Sequence, residues 1–132
     1  TKYKKYNNDA VKIVPFINDM ANAYALSDLV VCRSGALTLS EVTTCGKPSI
    51  LIPFAAAAGN HQLKNAETLY NAGAAELIEE RKLDSKKLFQ NINKLINNKY
   101  ILTEMSVASK ALGKPNATKI IADQVIKVVS NV

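Results

Sequence analysis

Tryptophan is absent, histidine occurs once, and aromatic residues make up only 6% of the 132 positions. A core this short of rings is filled by Ala, Val, Ile and Leu, which suits helices packed closely on a sheet and excludes an aromatic-rich β-barrel. No apolar run approaches the length that spans a bilayer, and no signal-peptide pattern opens the chain, so a soluble, cytosolic protein is expected. The two cysteines, Cys32 and Cys45, have no C-x-x-C spacing and read as two buried free thiols of a reducing compartment. His61 is the lone imidazole and has no second His or Cys in register, so no metal site is expected, and nothing implies a cofactor. The net charge is +6, yet only Arg33 and Arg81 are arginines. Bidentate recognition of phosphate or guanine leans on Arg. The lysines of the second half (Lys86, Lys87, Lys94, Lys99, Lys110, Lys119, Lys127) recur at helical spacings among apolar residues. That is a solvated basic face, and no nucleic-acid partner is expected. Neither the P-loop nor the dinucleotide fingerprint occurs. No acid pair is set for glycoside hydrolysis and no Ser/His/Asp or Cys/His set is convincing, so no catalytic residue can be assigned.

What is present is a core's worth of apolar sequence, 48% of the chain, enough for one domain over residues 1–132. The spacing predicts a strand over Val11–Ile17, then a short helix capped by Asn18-Asp19 with Met20, Ala23, Tyr24 and Ser27 on one face. A strand follows at Leu29–Cys32 and a helix at Ala36–Cys45, ended by Gly46. Ser49–Phe54 is continuously apolar, as a strand buried on both faces of a parallel sheet should be. A helix is predicted over His61–Asn71, ended by Gly73, and a last short strand over Ala75–Ile78. Leu83-Asp84-Ser85 opens a helix to about Asn97, with Leu88, Ile92, Leu95 and Ile96 on one face. Two more helices follow, Tyr100–Leu112 and one from Asn116 to about Ser130. Strand and helix alternate four times, which is an α/β pattern with a parallel sheet and right-handed crossovers. Ligands of such sheets sit beyond the carboxyl ends of the strands. The loops at Asn18-Asp19, Arg33–Leu37 and Ala55–Gln62 qualify, and converge on one crevice if the three strands before them are neighbours.

The stretch Leu29–Glu41 reads as strand, tight turn and helix start. Ser34-Gly35-Ala36-Leu37-Thr38 offers backbone N–H groups and two hydroxyls to an anion, and Gly35 carries no Cβ to block its approach. Ser34 is equally readable as a plain helix cap. Arg33 is placed to balance a diphosphate or to make a structural ion pair with Asp28 or Asp19. Glu41 can accept two hydrogen bonds from a ribose diol, or simply favour the helix dipole. His61, Gln62 and Asn65 line one side of a helix start with groups suited to sugar hydroxyls, and His61 is also readable as a base, a cap or a solvent-facing ring.

The run Cys32–Glu41, taken with Pro15-Phe16-Ile17-Asn18-Asp19-Met20-Ala21, Tyr24-Ala25-Leu26-Ser27-Asp28, Gly46-Lys47-Pro48-Ser49 and Gly59-Asn60-His61-Gln62-Leu63-Lys64-Asn65-Ala66, closely resembles the MurG family of bacterial transferases. The resemblance covers nearly the whole chain, through Met105-Ser106 and Pro115-Asn116-Ala117. It implies a GT-B glycosyltransferase: an inverting hexosyltransferase that moves N-acetylglucosamine from UDP-GlcNAc to lipid I, making lipid II for peptidoglycan at the cytoplasmic face of the bacterial inner membrane. The chain then corresponds to most of the C-terminal, donor-binding domain, with a Rossmann-like parallel sheet. The acceptor domain, which meets lipid I and supplies the base, is missing, as are the first strand and Gly-rich loop of the donor domain. The isolated chain is expected to be inactive. By the same resemblance the backbone of Ile17 reads the uracil edge, and Ala36, Leu37 and Thr38 present the helix start to the diphosphate and sugar. Glu41 binds the ribose, and Gln62 and Asn65 hold the GlcNAc hydroxyls with His61 beside them. Asn18 departs from the acid usual in the family, and Ala55–Ala58 is blander than most versions of that loop. The competing readings are a UDP-GlcNAc transferase subunit that needs a separate membrane partner, and a non-catalytic, flavodoxin-like nucleotide-binding or interaction domain.

Overall fold

The computed structural model describes residues 2–130. Three parallel strands, β1 (Val30–Cys32), β2 (Ser49–Leu51) and β3 (Ala75–Leu77), form one sheet in the order β1-β2-β3. Each crossover carries a helix: α2 (Ala36–Thr44) joins β1 to β2, and α3 (His61–Asn71) joins β2 to β3. Ahead of β1 lies α1 (Met20–Leu26); after β3 come α4 (Ser85–Ile96), α5 (Lys99–Leu112) and α6 (Ala117–Ser130). Two successive crossovers in one direction and of one hand put α2 and α3 on the same face of the sheet.

Side chains alternate across a strand, and the core divides accordingly. On the α2/α3 face Leu51 and Ala75 pack with Leu39, Ala66 and Leu69. On the other face Ile50, Ile52 and Ile78 pack with Leu95 of α4 and Met105 of α5. β2 is buried along its whole length, as its unbroken apolar run requires. The helix ends follow the sequence closely. Asp19, Asp84 and Asn98 accept hydrogen bonds from the backbone N–H groups of Asn22, Lys87 and Ile101. Gly46 and Gly73, at φ +61° and +74°, end α2 and α3 in the left-handed conformation that glycine adopts without strain.

Three expectations change. Val11–Ile17 is not a strand; it runs as irregular chain with Val11, Val14, Phe16 and Ile17 exposed. A strand needs a neighbour to receive its backbone hydrogen bonds, and none of the three strands of the described residues pairs with this segment. The remaining strands are each three residues long, shorter than the apolar runs that mark them: Ile52, just past β2, still donates its N–H to the Cys32 carbonyl, and Pro53 after it is buried but has no N–H to give. Ile96, placed on the apolar face of α4, is 47% exposed, one residue past the buried Leu95.

α6 is exposed from Thr118 onward, its Ile120, Ile121, Val125, Ile126, Val128 and Val129 included. No helix among the described residues is long and apolar enough to cross a membrane.

Candidate functional site

The loops after β1 and β2 meet beyond the carboxyl ends of those strands, and the contacts between them are specific. Ser34 is completely buried and its hydroxyl donates to the Gln62 carbonyl at 2.7 Å. The Asn65 amide donates to the Ser34 carbonyl at 3.2 Å. α3 is thereby tied by its first turn to the turn that opens α2. The Phe54 N–H donates to Gln62 Oε1 at 3.0 Å, and the Nε2 of Gln62 makes no hydrogen bond among the described residues.

Ser34 is therefore not the cap of α2. That position belongs to Gly35, and no side chain caps this helix end. The free N–H groups of the first turn, at Ala36, Leu37 and Thr38, keep their capacity for an anion. The space beside Gly35 is open: a Cβ built there would meet nothing within 4 Å. Ala36 and Leu37 are exposed, Leu37 at 76%, and Thr38 is half-buried.

Arg33 is engaged in a third way, beyond the two that its position suggested. Its guanidinium donates to the carbonyls of Ile52 and Pro53 at 3.2 and 3.3 Å, pairs with Glu80, and lies 5.5 Å from the centre of the Phe54 ring. The other oxygen of Glu80 accepts the Ala55 N–H at 2.8 Å. This backbone hydrogen bond, followed by Arg33, holds the Glu80 carboxyl below its ordinary range. Pro53, Phe54, Ala55, Leu63 and Glu80 line a cavity of about 290 Å³ beside this clamp.

Glu41, half-buried on α2, accepts a hydrogen bond from the Tyr24 hydroxyl at 3.0 Å. The Tyr24 phenol is pushed far above its ordinary range, by burial first and by the Glu41 carboxylate second. His61 is exposed at the start of α3. Ile17 is 44% exposed and lines a separate shallow groove with Lys12, Phe16 and Met20. The structure thus gathers Arg33, Ser34, Gln62 and Asn65 at one junction, at the open start of α2, with Glu41 one turn further along that helix.

The cysteines do not form the buried pair expected. Cys32 is half-buried, and burial pushes its thiol up to about 11, whereas Cys45, at the end of α2, is exposed. Tyr24 and Glu80 were not singled out from the sequence. Each lies far along the chain from its partner, 17 residues for Tyr24 and Glu41 and 47 for Arg33 and Glu80, and no local spacing marks such a pair.

The open helix start beyond a parallel sheet places the chain in a class. Residues 1–121 match the glycosyltransferase family 28 C-terminal domain, and the chain belongs to that family. Its fold is that of the C-terminal domain of a GT-B glycosyltransferase: the crystal structure of Acinetobacter baumannii MurG superposes with a TM-score of 0.80 at 39% identity, over 88% of this chain and 35% of that one. The chain is 52% identical over 114 residues to the UDP-N-acetylglucosamine–N-acetylmuramyl-(pentapeptide) pyrophosphoryl-undecaprenol N-acetylglucosamine transferase of Anaeromyxobacter sp. strain K, covering 86% of this chain and 30% of the relative. The enzyme of the same name from Clostridioides difficile strain 630 is 44% identical over 120 residues, 91% of this chain and 29% of the relative. The chain therefore spans about a third of the length of the relatives it matches.

Proposed function

We propose that this chain is the UDP-GlcNAc-binding part of the enzyme that transfers N-acetylglucosamine to lipid I, giving lipid II for peptidoglycan. The observation that carries the reading is the open start of α2, with no side-chain cap and clear space at Gly35, on a chain 52% identical to a transferase of that name. An uncapped helix start facing free space is suited to the diphosphate. Glu41, one turn along, is suited to the ribose diol, Gln62 Nε2 to a sugar oxygen, and the backbone of Ile17 to the uracil edge. Arg33 shapes the Pro53–Ala55 loop, with Nη1 given to the Ile52 and Pro53 carbonyls and Nη2 paired with Glu80. The acceptor lipid and the catalytic base belong to the part of the relatives that this chain does not span, and the working enzyme acts at the cytoplasmic face of the membrane.

Isothermal titration of UDP-GlcNAc against the full-length protein and its Glu41→Ala variant tests the reading. The expected result is binding by the wild type, weakened about tenfold or more in the variant, since hydrogen bonds to a charged group contribute about 1.5–3 kcal/mol. Equal affinity in the two proteins removes Glu41 from the ribose. Absence of UDP-GlcNAc binding by the wild type removes the function itself.

A further inference from the structure

A glutamate on a helix surface rotates about three side-chain bonds, and fixing it against a ligand costs rotamer freedom. In this fold that freedom is already restricted before any ligand arrives. Tyr24 is 6% exposed, so its ring has one position, and its hydroxyl reaches across from α1 to Glu41 Oε2. The end of α1 is fastened in turn: Ser27 donates to the Tyr24 carbonyl through both its hydroxyl, at 2.9 Å, and its N–H, at 3.2 Å. The phenol keeps its proton well above neutral pH and so acts toward the carboxylate as a donor. Among the described residues no second side chain hydrogen-bonds to Glu41. A carboxylate has about four lone-pair positions, and with one taken it still has enough for two hydroxyls.

Resting on the reading of Glu41 as the ribose-binding residue, we infer that Tyr24 is a positioning residue for nucleotide recognition: its hydroxyl pins Oε2 of Glu41 and presents Oε1 to the 2′,3′-diol. Tyr24 touches no part of the nucleotide. It acts through Glu41, and what it confers is discrimination in favour of a ribose that carries both hydroxyls.

The test compares the affinities of UDP and 2′,3′-dideoxy-UDP for the full-length protein, by calorimetry, in the wild type, Tyr24→Phe, Glu41→Ala, Glu41→Gln and the double variant Tyr24→Phe/Glu41→Ala. The wild type is expected to prefer UDP. Tyr24→Phe should cut that preference about 5- to 20-fold while leaving the affinity for the dideoxy nucleotide unchanged. The double variant should behave as Glu41→Ala alone, because a residue acting only through Glu41 has nothing left to act on. Glu41→Gln supplies a second check that does not disturb the phenol. The neutral amide loses the charge-assisted bonds that the carboxylate offers the diol, so the preference should fall; a retained preference means that the diol does not meet this carboxylate, and overturns the proposal. Full preference in Tyr24→Phe, or an equal loss for both nucleotides, also overturns it and leaves Glu41 on the ribose. Full preference in Glu41→Ala, or none in the wild type, overturns the ribose reading itself and the role of Tyr24 with it.

Discussion

Ser34 and Gln62, 28 residues apart, are joined by a 2.7 Å hydrogen bond from a completely buried hydroxyl to a carbonyl of the first turn of α3. The bond links the two helix starts that shape the candidate site. Ser34→Ala should cost about 1 kcal/mol, seen as a fall in Tm of about 3–5 °C. It should also weaken binding of UDP-GlcNAc, because α3 and its Gln62 are no longer held against the α2 turn. Unchanged melting would mean that the bond adds nothing to the fold.

Glu80 gives the Arg33 clamp a pH dependence. Its carboxyl is held below the ordinary range in the folded chain, by the Ala55 N–H first and Arg33 second. A group of that kind adds stability above its unfolded pKa and loses it as pH falls through the folded one. The gap in Tm between wild type and Glu80→Gln should therefore be constant from neutral pH to about pH 5, then close on further acidification. A gap that widens in acid would reverse the assignment.

Ser49, wholly buried in β2, has a hydroxyl with no hydrogen-bond partner among the described residues. An unpaired buried hydroxyl is a cost to the folded state. Ser49→Ala should be neutral or stabilising, by up to about 1 kcal/mol in chemical denaturation, against the usual destabilising trend of core substitutions. A loss of more than about 1 kcal/mol would show that the hydroxyl has a partner after all.

The two thiols should separate cleanly under alkylation. With its pKa at about 11, Cys32 is thiolate in roughly one molecule per thousand at pH 8, and it is half-buried besides. Cys45 is exposed. Iodoacetamide followed by peptide mass spectrometry should find Cys45 modified first and Cys32 at least tenfold more slowly; the reverse order would place Cys32 at an open surface.

These pairs also mark what the sequence could disclose. Helix limits were legible to within a residue or two, because caps such as Asp84 and stops such as Gly46 act on neighbours three to five positions away. The parallel sheet followed from the alternation of strand and helix, but the order of its strands did not. The Val11–Ile17 strand was misread because a strand depends on a partner that its own residues do not specify. At the site, local spacing offered the α2 start and Glu41 as one reading among others and the family resemblance singled Glu41 out, whereas Tyr24 and Glu80 reach their partners only through the fold. Arg33 shows the same limit: its charge was visible, but not that two carbonyls and a distant acid occupy it.

Among the described residues β1 pairs on one side only. Its Val30 N–H donates to the Pro48 carbonyl and its Cys32 carbonyl accepts from the Ile52 N–H, so the alternation of the strand turns the N–H and C=O of Val31 outward. The bare ladder is thus a single peptide rung. One rung contributes about 1 kcal/mol and is satisfied equally well by any residue of an incoming strand, so it carries no information about alignment.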